Sequence, residues 1–154
     1  MSGKISNAQI NPQATTTKTT FSRQTTVSIL INASKEDIWK VLTDAENYSD
    51  WNTTVISLKG KIAQREKIRL VSTLDPKRTF KLKIKEFLPF EKLVWGDGKG
   101  DRIYTLTEDS KGTIFNMTEK IGGLMFPLYS KYIPPFDKSF EQFADDLKTE
   151  AEKL

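Results

Sequence analysis

Residues 136–154 read FDKSFEQFADDLKTEAEKL, and within that stretch Phe136, Phe140, Phe143, Ala144, Leu147, Ala151 and Leu154 recur at i, i+4, i+7 and i+11. The spacing predicts a long C-terminal helix with one apolar stripe and with Asp and Glu on its other faces. Pro134-Pro135 lead into it, and proline suits the first turn of a helix. Three phenyl rings on one stripe need a large apolar partner, so this helix must lie on a sheet.

The chain upstream supplies that sheet. Phe80, Leu82 and Ile84 alternate with Lys81, Lys83 and Lys85, the period of a strand with one packed and one wet face. By the same parity Ile68 and Leu70, Leu93 and Trp95, Tyr104 and Leu106, and Phe115 and Met117 belong to the concave, packed face. Turn residues at Gly60-Lys61, Asp75-Pro76, Pro89-Phe90, Gly96 to Gly100 and Asp109 to Gly112 divide residues 55–118 into an antiparallel meander. An earlier strand is expected where Thr25, Val27, Ile29 and Ile31 alternate with polar residues, ending at Asn32-Ala33. Ser34, three positions before Asp37, is a helix N-cap signal, and Ile38, Val41, Leu42 and Ala45 follow at helical spacing. These predict a short helix over 35–43 and a second helical turn over 44–50.

The composition narrows the chemistry. The 154 residues contain no His and no Cys. That removes histidine bases, thiol nucleophiles, disulfides, thiolate zinc sites and Cys-ligated clusters, and no metal or cofactor is expected. The longest apolar runs, such as Val27 to Ile31, are far shorter than the roughly 20 residues of a membrane span. A soluble, cytoplasmic domain without integral membrane association is expected. The net charge of +4 is unevenly spread, since residues 59–92 hold eleven Lys/Arg against four Asp/Glu. No aromatics interleave Lys81, Lys83 and Lys85 as a base-stacking platform would require, so the basic run reads as a solvated face and no nucleic acid partner is expected. Residues 1–20, ending in the run Thr15-Thr16-Thr17-Lys18-Thr19-Thr20, lack apolar spacing and read as a disordered Thr-rich tail. Residues 21–154 form the single domain.

Ile31-Asn32-Ala33-Ser34 with Asp37-Ile38-Trp39-Lys40-Val41-Leu42-Thr43-Asp44 resembles the strand-to-helix opening of the START/Bet v 1-like superfamily (SRPBCC). Its bacterial branch includes polyketide cyclase/dehydrase and lipid-transport-like proteins. Tyr48-Ser49-Asp50-Trp51-Asn52 is similar to that family's tyrosine–tryptophan turn, and Pro89 with Phe90-Glu91-Lys92-Leu93-Val94-Trp95 to the start of one of its strands. Gly112-Thr113 before a strand, and Phe143-Ala144-Asp145-Asp146-Leu147-Lys148, extend the likeness over residues 21–154. The resemblance implies an α+β helix-grip fold. A curved antiparallel sheet of about seven strands would wrap around the C-terminal helix, with two short helices after the first strand and an elongated apolar cavity between sheet and helix.

The expected occupant of that cavity is a small hydrophobic molecule, lipid-like or polyketide-like. The expected lining is Trp51, Phe80, Trp95, Tyr104, Phe115, Met117, Phe126, Tyr129, Phe136 and Phe140, with Arg102 and Glu119 as polar anchors. Parity aims Arg102 and Glu119 inward, whereas their place at strand ends favours solvent. None of the matching motifs is catalytic, so binding or transport leads. The alternatives are a cyclase/dehydrase-type enzyme using Glu119, Arg102 or Tyr104, and a chaperone co-activator-like module using the basic face.

Overall fold

Strand β2 (Ser22–Ile31) shows how the alternation is realised: Arg23, Thr25, Val27, Ile29 and Ile31 are buried and the residues between them are more open. The computed structural model describes residues 12–154. Among them, β2 is joined by β1 (Thr15–Lys18), β3 (Val55–Gly60), β4 (Lys67–Ser72), β5 (Asp75–Leu88), β6 (Lys92–Gly96), β7 (Gly100–Asp109) and β8 (Gly112–Gly122). The eight strands form one open antiparallel sheet in the order β1-β2-β8-β7-β6-β5-β4-β3. Four α-helices accompany it: α1 (Lys35–Leu42), α2 (Tyr48–Trp51), α3 (Phe126–Tyr129) and α4 (Asp137–Ala151).

Local chemistry sets the breaks. Ser34 Oγ accepts the Asp37 N–H at 3.1 Å at the start of α1. Glu36 and Asp37 in the first turn and Lys40 in the last complement the helix dipole. Tyr48 of α2 donates its buried hydroxyl to the Leu42 carbonyl at 2.6 Å, which holds the two short helices together in an apolar setting. Gly112 opens β8 with φ +144°, and a Cβ there would sit 2.2 Å from the Ile31 carbonyl oxygen, so only glycine fits beside the end of β2.

The C-terminal helix crosses the packed face as the stripe requires. Phe136, Phe140, Phe143, Ala144, Leu147 and Ala151 are all buried, while Leu154, beyond the end of α4, is exposed. On the opposite face Lys59, Arg69 and Lys81 stand across from one another on β3, β4 and β5, and Lys67 faces Lys83. These five cations are exposed, as a wet face demands.

Two expectations need correction. The sheet has eight strands rather than about seven, because residues 15–18, read as tail, form edge strand β1. Apolar spacing was absent there because β1 is held by polar groups. Thr16 Oγ1 donates to Asp137 Oδ1 at 2.8 Å, and the Ala14 N–H to Glu141 Oε2 at 2.8 Å, both on the C-terminal helix. The tail reading for residues 1–11 lies outside the described residues. The β4–β5 turn falls at Thr73-Leu74 rather than Asp75-Pro76. Ser72 pairs with Asp75 while Leu70 pairs with Phe80, so residues 76–79 arch out around Pro76, which has no N–H for the ladder. The connector after Gly122-Gly123 contains the single helical turn α3.

Candidate functional site: a cavity with an ion pair in its wall

The interior divides into a filled half and an open half. In the filled half, Phe143 of α4 reaches the concave face and meets Trp51, Tyr104 and Phe115 at ring-centroid distances of 5.9, 5.8 and 6.2 Å. Tyr48 and Trp95 close the same cluster, 4.8 Å from Trp51 and 5.0 Å from Tyr104 respectively. Their rings fill this end of the interior. The open half is a cavity of about 270 Å³ between the other end of the sheet and residues 129–136.

Its wall is mostly apolar. Leu70, Phe80 and Leu82 come from β4 and β5, Trp95 from β6 and Ile121 from β8. Tyr129, Tyr132, Ile133, Pro134 and Phe136 form a lid, and Asp75, Arg78, Asp97 and Lys99 stand among the remaining lining residues. Asp97 is committed to its own turn, where Oδ1 accepts the Lys99 and Gly100 N–H groups at 2.8 and 3.1 Å. The loop is a hairpin turn, as its sequence indicates.

Arg102 and Glu119 lie in this wall directly opposite each other on β7 and β8. Arg102 Nε donates to Glu119 Oε1 at 2.7 Å, with the two side chains 15% and 19% exposed. Parity thus prevails over the expectation of solvent at strand ends, because the lid covers those ends. The Phe140 ring lies under the guanidinium, 4.9 Å from Cζ. Burial works against the Arg102 charge, but the Glu119 carboxylate and the Tyr104 hydroxyl outweigh it and raise its pKa, so Arg102 stays protonated throughout the working range. Among the described residues, neither Nη of Arg102 nor Oε2 of Glu119 has a hydrogen-bond partner. The site therefore offers donors and an acceptor side by side.

A second arginine secures the lid. Arg23 of β2 donates to the Ile133 and Pro134 carbonyls at 3.2 and 2.8 Å and lies 4.5 Å over the Phe136 ring. Desolvation lowers its pKa, and Glu119 and Asp137 oppose that shift. Sequence reading missed Arg23 because its latch acceptors are backbone carbonyls 110 and 111 residues away.

Of the residues expected at the cavity, Phe80, Trp95, Tyr129, Phe136, Arg102 and Glu119 line it. Trp51, Tyr104, Phe115, Met117, Phe126 and Phe140 do not; the last five belong to the packed core and Trp51, half-buried, packs against it. For Trp51, Tyr104 and Phe115 the reason is Phe143, whose ring packs against all three. The Tyr104 hydroxyl lies beside Arg102 without hydrogen-bond geometry and is sealed from solvent. Burial raises its pKa further above the usual phenol value, so Tyr104 is unsuited to proton transfer. Leu70, Leu82 and Ile121 were legible as inward-facing by parity but were not assigned to the cavity.

No protein-family model and no curated protein matches this chain. Solved structures do. A START superfamily protein from Mycobacterium smegmatis superposes with a TM-score of 0.62 at 15% identity, covering 85% of this chain and 98% of that one. This chain has the START-like fold. The di-domain ARO/CYC StfQ of the steffimycin biosynthetic pathway matches this START-like chain with a TM-score of 0.65 at 13% identity, over 87% of the chain and 52% of StfQ. A protein from Mesorhizobium loti reaches 0.67 at 17% identity, covering 86% and 98%. Among the described residues, no helix of this START-like domain is long and apolar enough to cross a membrane.

Proposed function

We propose that this START-like chain binds a small hydrophobic molecule carrying one polar end, and that it acts by holding that molecule rather than transforming it. The apolar body lies against Leu70, Leu82, Trp95, Ile121 and Phe136, and the polar end meets Arg102 and Glu119. The carrying observation is the pairing of an apolar cavity with an ion pair whose Nη and Oε2 atoms lack hydrogen-bond partners among the described residues. A pure hydrocarbon would strip water from those atoms without replacing its hydrogen bonds. A ligand whose head combines a carbonyl or carboxylate oxygen with a hydroxyl replaces them.

The volume limits the size. An apolar cavity of about 150 Å³ holds a benzene, so one of about 270 Å³ takes roughly ten to twelve heavy atoms. Burial of about 300 Å² at roughly 25 cal/mol/Å² supports affinities no tighter than about micromolar, near −8 kcal/mol. The START superfamily and ARO/CYC matches favour a ligand-binding fold. Against catalysis stand the sealing of Tyr104 in the core and the role of Glu119 as partner to Arg102.

The test is native mass spectrometry of the chain purified from its own host, with displacement of the retained molecule by an apolar fluorescent probe. Leu82→Trp, which fills the cavity from β5, should weaken probe binding at least about tenfold while the far-UV spectrum stays unchanged. Full binding by a folded Leu82→Trp protein would place the ligand elsewhere.

A further inference from the structure

The lid has an outer face that the cavity does not explain. Leu124, Met125, Leu128 and Tyr132 are 85%, 61%, 66% and 75% exposed, so four large apolar side chains face water within nine residues. Phe21, half exposed, adjoins them through the Gly123 N–H, which donates to the Phe21 carbonyl at 3.0 Å. Soluble proteins rarely leave so dense an apolar patch uncovered without a partner for it. The inward side of the same segment is satisfied, with Phe126 buried and Tyr129 lining the cavity.

Along the lid segment itself the charge has one sign, although Asp75 and Asp97 stand with Lys99 at the cavity mouth. Residues 120–136 contain Lys120 and Lys131 and no carboxylate. Lys99 and Lys131 lie 5.4 and 5.2 Å over the Tyr129 and Tyr132 rings, with their stems along apolar surface and their ammonium groups beside it. A second copy of the chain docking here would bring these lysines face to face. An anionic lipid surface instead pairs them with phosphate or carboxylate headgroups while the leucines enter the acyl boundary.

We propose that residues 123–135 dock this protein peripherally on an anionic lipid bilayer, with Leu124, Met125 and Leu128 inserted and Lys99 and Lys131 at headgroup level. Tyr132 belongs to both the exposed patch and the cavity wall, so docking sets the cavity mouth against the lipid surface. The proposal goes beyond ligand binding and holds whatever occupies the cavity.

Cosedimentation of the full chain with vesicles of phosphatidylcholine alone, and with about 30 mol % phosphatidylserine, tests it directly. Binding is expected only to the anionic vesicles, and weaker in about 0.5 M NaCl, where the Debye length is only a few ångströms. The variant L124S/L128S should lose about tenfold or more of that binding with an unchanged melting temperature, since both leucines are exposed. The control K67E/K81E, on the opposite face, should keep it. In the variant L124W, the indole introduced on the patch should add a blue-shifted emission, quenched by bromolipids and absent from the parent, which reads insertion without depending on the loss of binding. Absence of binding to either vesicle, full binding by L124S/L128S, or loss in K67E/K81E alone would overturn the proposal. Self-association in analytical ultracentrifugation that L124S/L128S abolishes would assign the patch to a second copy instead.

Discussion

Replacing Glu119 by Gln keeps the shape of the cavity wall but removes the partner of a guanidinium that is 15% exposed. Arg102 remains charged, because its pKa is raised and has far to fall before neutrality. At 4 Å and an effective dielectric of about 20, a unit pair is worth about 4 kcal/mol, and losing one member of a buried pair typically costs about 3–5 kcal/mol. Water in the cavity screens part of this, so the expected loss is about 2–4 kcal/mol. For a domain of this length that lowers the melting temperature by roughly 5–12 °C. The double variant Arg102→Met/Glu119→Leu removes both charges and should lie within about 1 kcal/mol of the parent, giving a coupling energy of about 2 kcal/mol or more. Urea unfolding at pH 7 of the parent, Arg102→Met, Glu119→Leu and the double variant measures the cycle, and that of Glu119→Gln measures the single loss. A Glu119→Gln loss below about 0.5 kcal/mol would mean that the strand ends are open to water and that the pair is an ordinary surface contact. Stability without polar anchoring is then a separable property. The double variant should still bind apolar probes while losing its preference for those with a carbonyl or carboxylate head.

Phe140→Ala should cost about 3–5 kcal/mol in chemical denaturation, because the ring is buried between the helix and the sheet. A loss below about 1 kcal/mol would place the apolar stripe at solvent. Deleting residues 1–20 should lower the melting temperature by several degrees, since β1 pairs with β2 from Thr15 to Lys18 and Thr16 is bonded to Asp137, and an unchanged melting curve would show that the strand contributes nothing. Burial raises the Glu152 pKa, but bonds from Lys148 and the Asn32 N–H outweigh it and leave the group below its ordinary value. A depressed carboxylate stabilises the fold above its unfolded pKa and loses that contribution as pH falls through the folded value. Glu152→Gln should therefore reduce stability at pH 7 and leave it unchanged near pH 2, and an equal effect at both would exclude the ionised form as the cause.

The parity of Phe80, Leu82 and Ile84 and the stripe from Phe136 to Ala151 determined by themselves that a sheet and a C-terminal helix share one core. Both patterns are local consequences of backbone geometry, with periods of two and 3.6 residues, so neighbours in sequence suffice to read them. Parity also aimed Arg102 and Glu119 inward. It carried no information on whether anything covers them, because the cover is a lid that begins ten residues beyond Glu119 and 27 beyond Arg102. Strand β1 was invisible for a related reason: its bonds run from Ala14 and Thr16 to Glu141 and Asp137, polar groups more than a hundred residues away. Only the tertiary structure decided which inward-facing residues pack and which enclose space. Tyr104, Phe115 and Trp95 share one face of the sheet, yet the first two touch Phe143 and do not reach the cavity while Trp95, packed on Tyr104, borders it. A face is a property of the strand, whereas a void is a property of what the helix and lid bring to it.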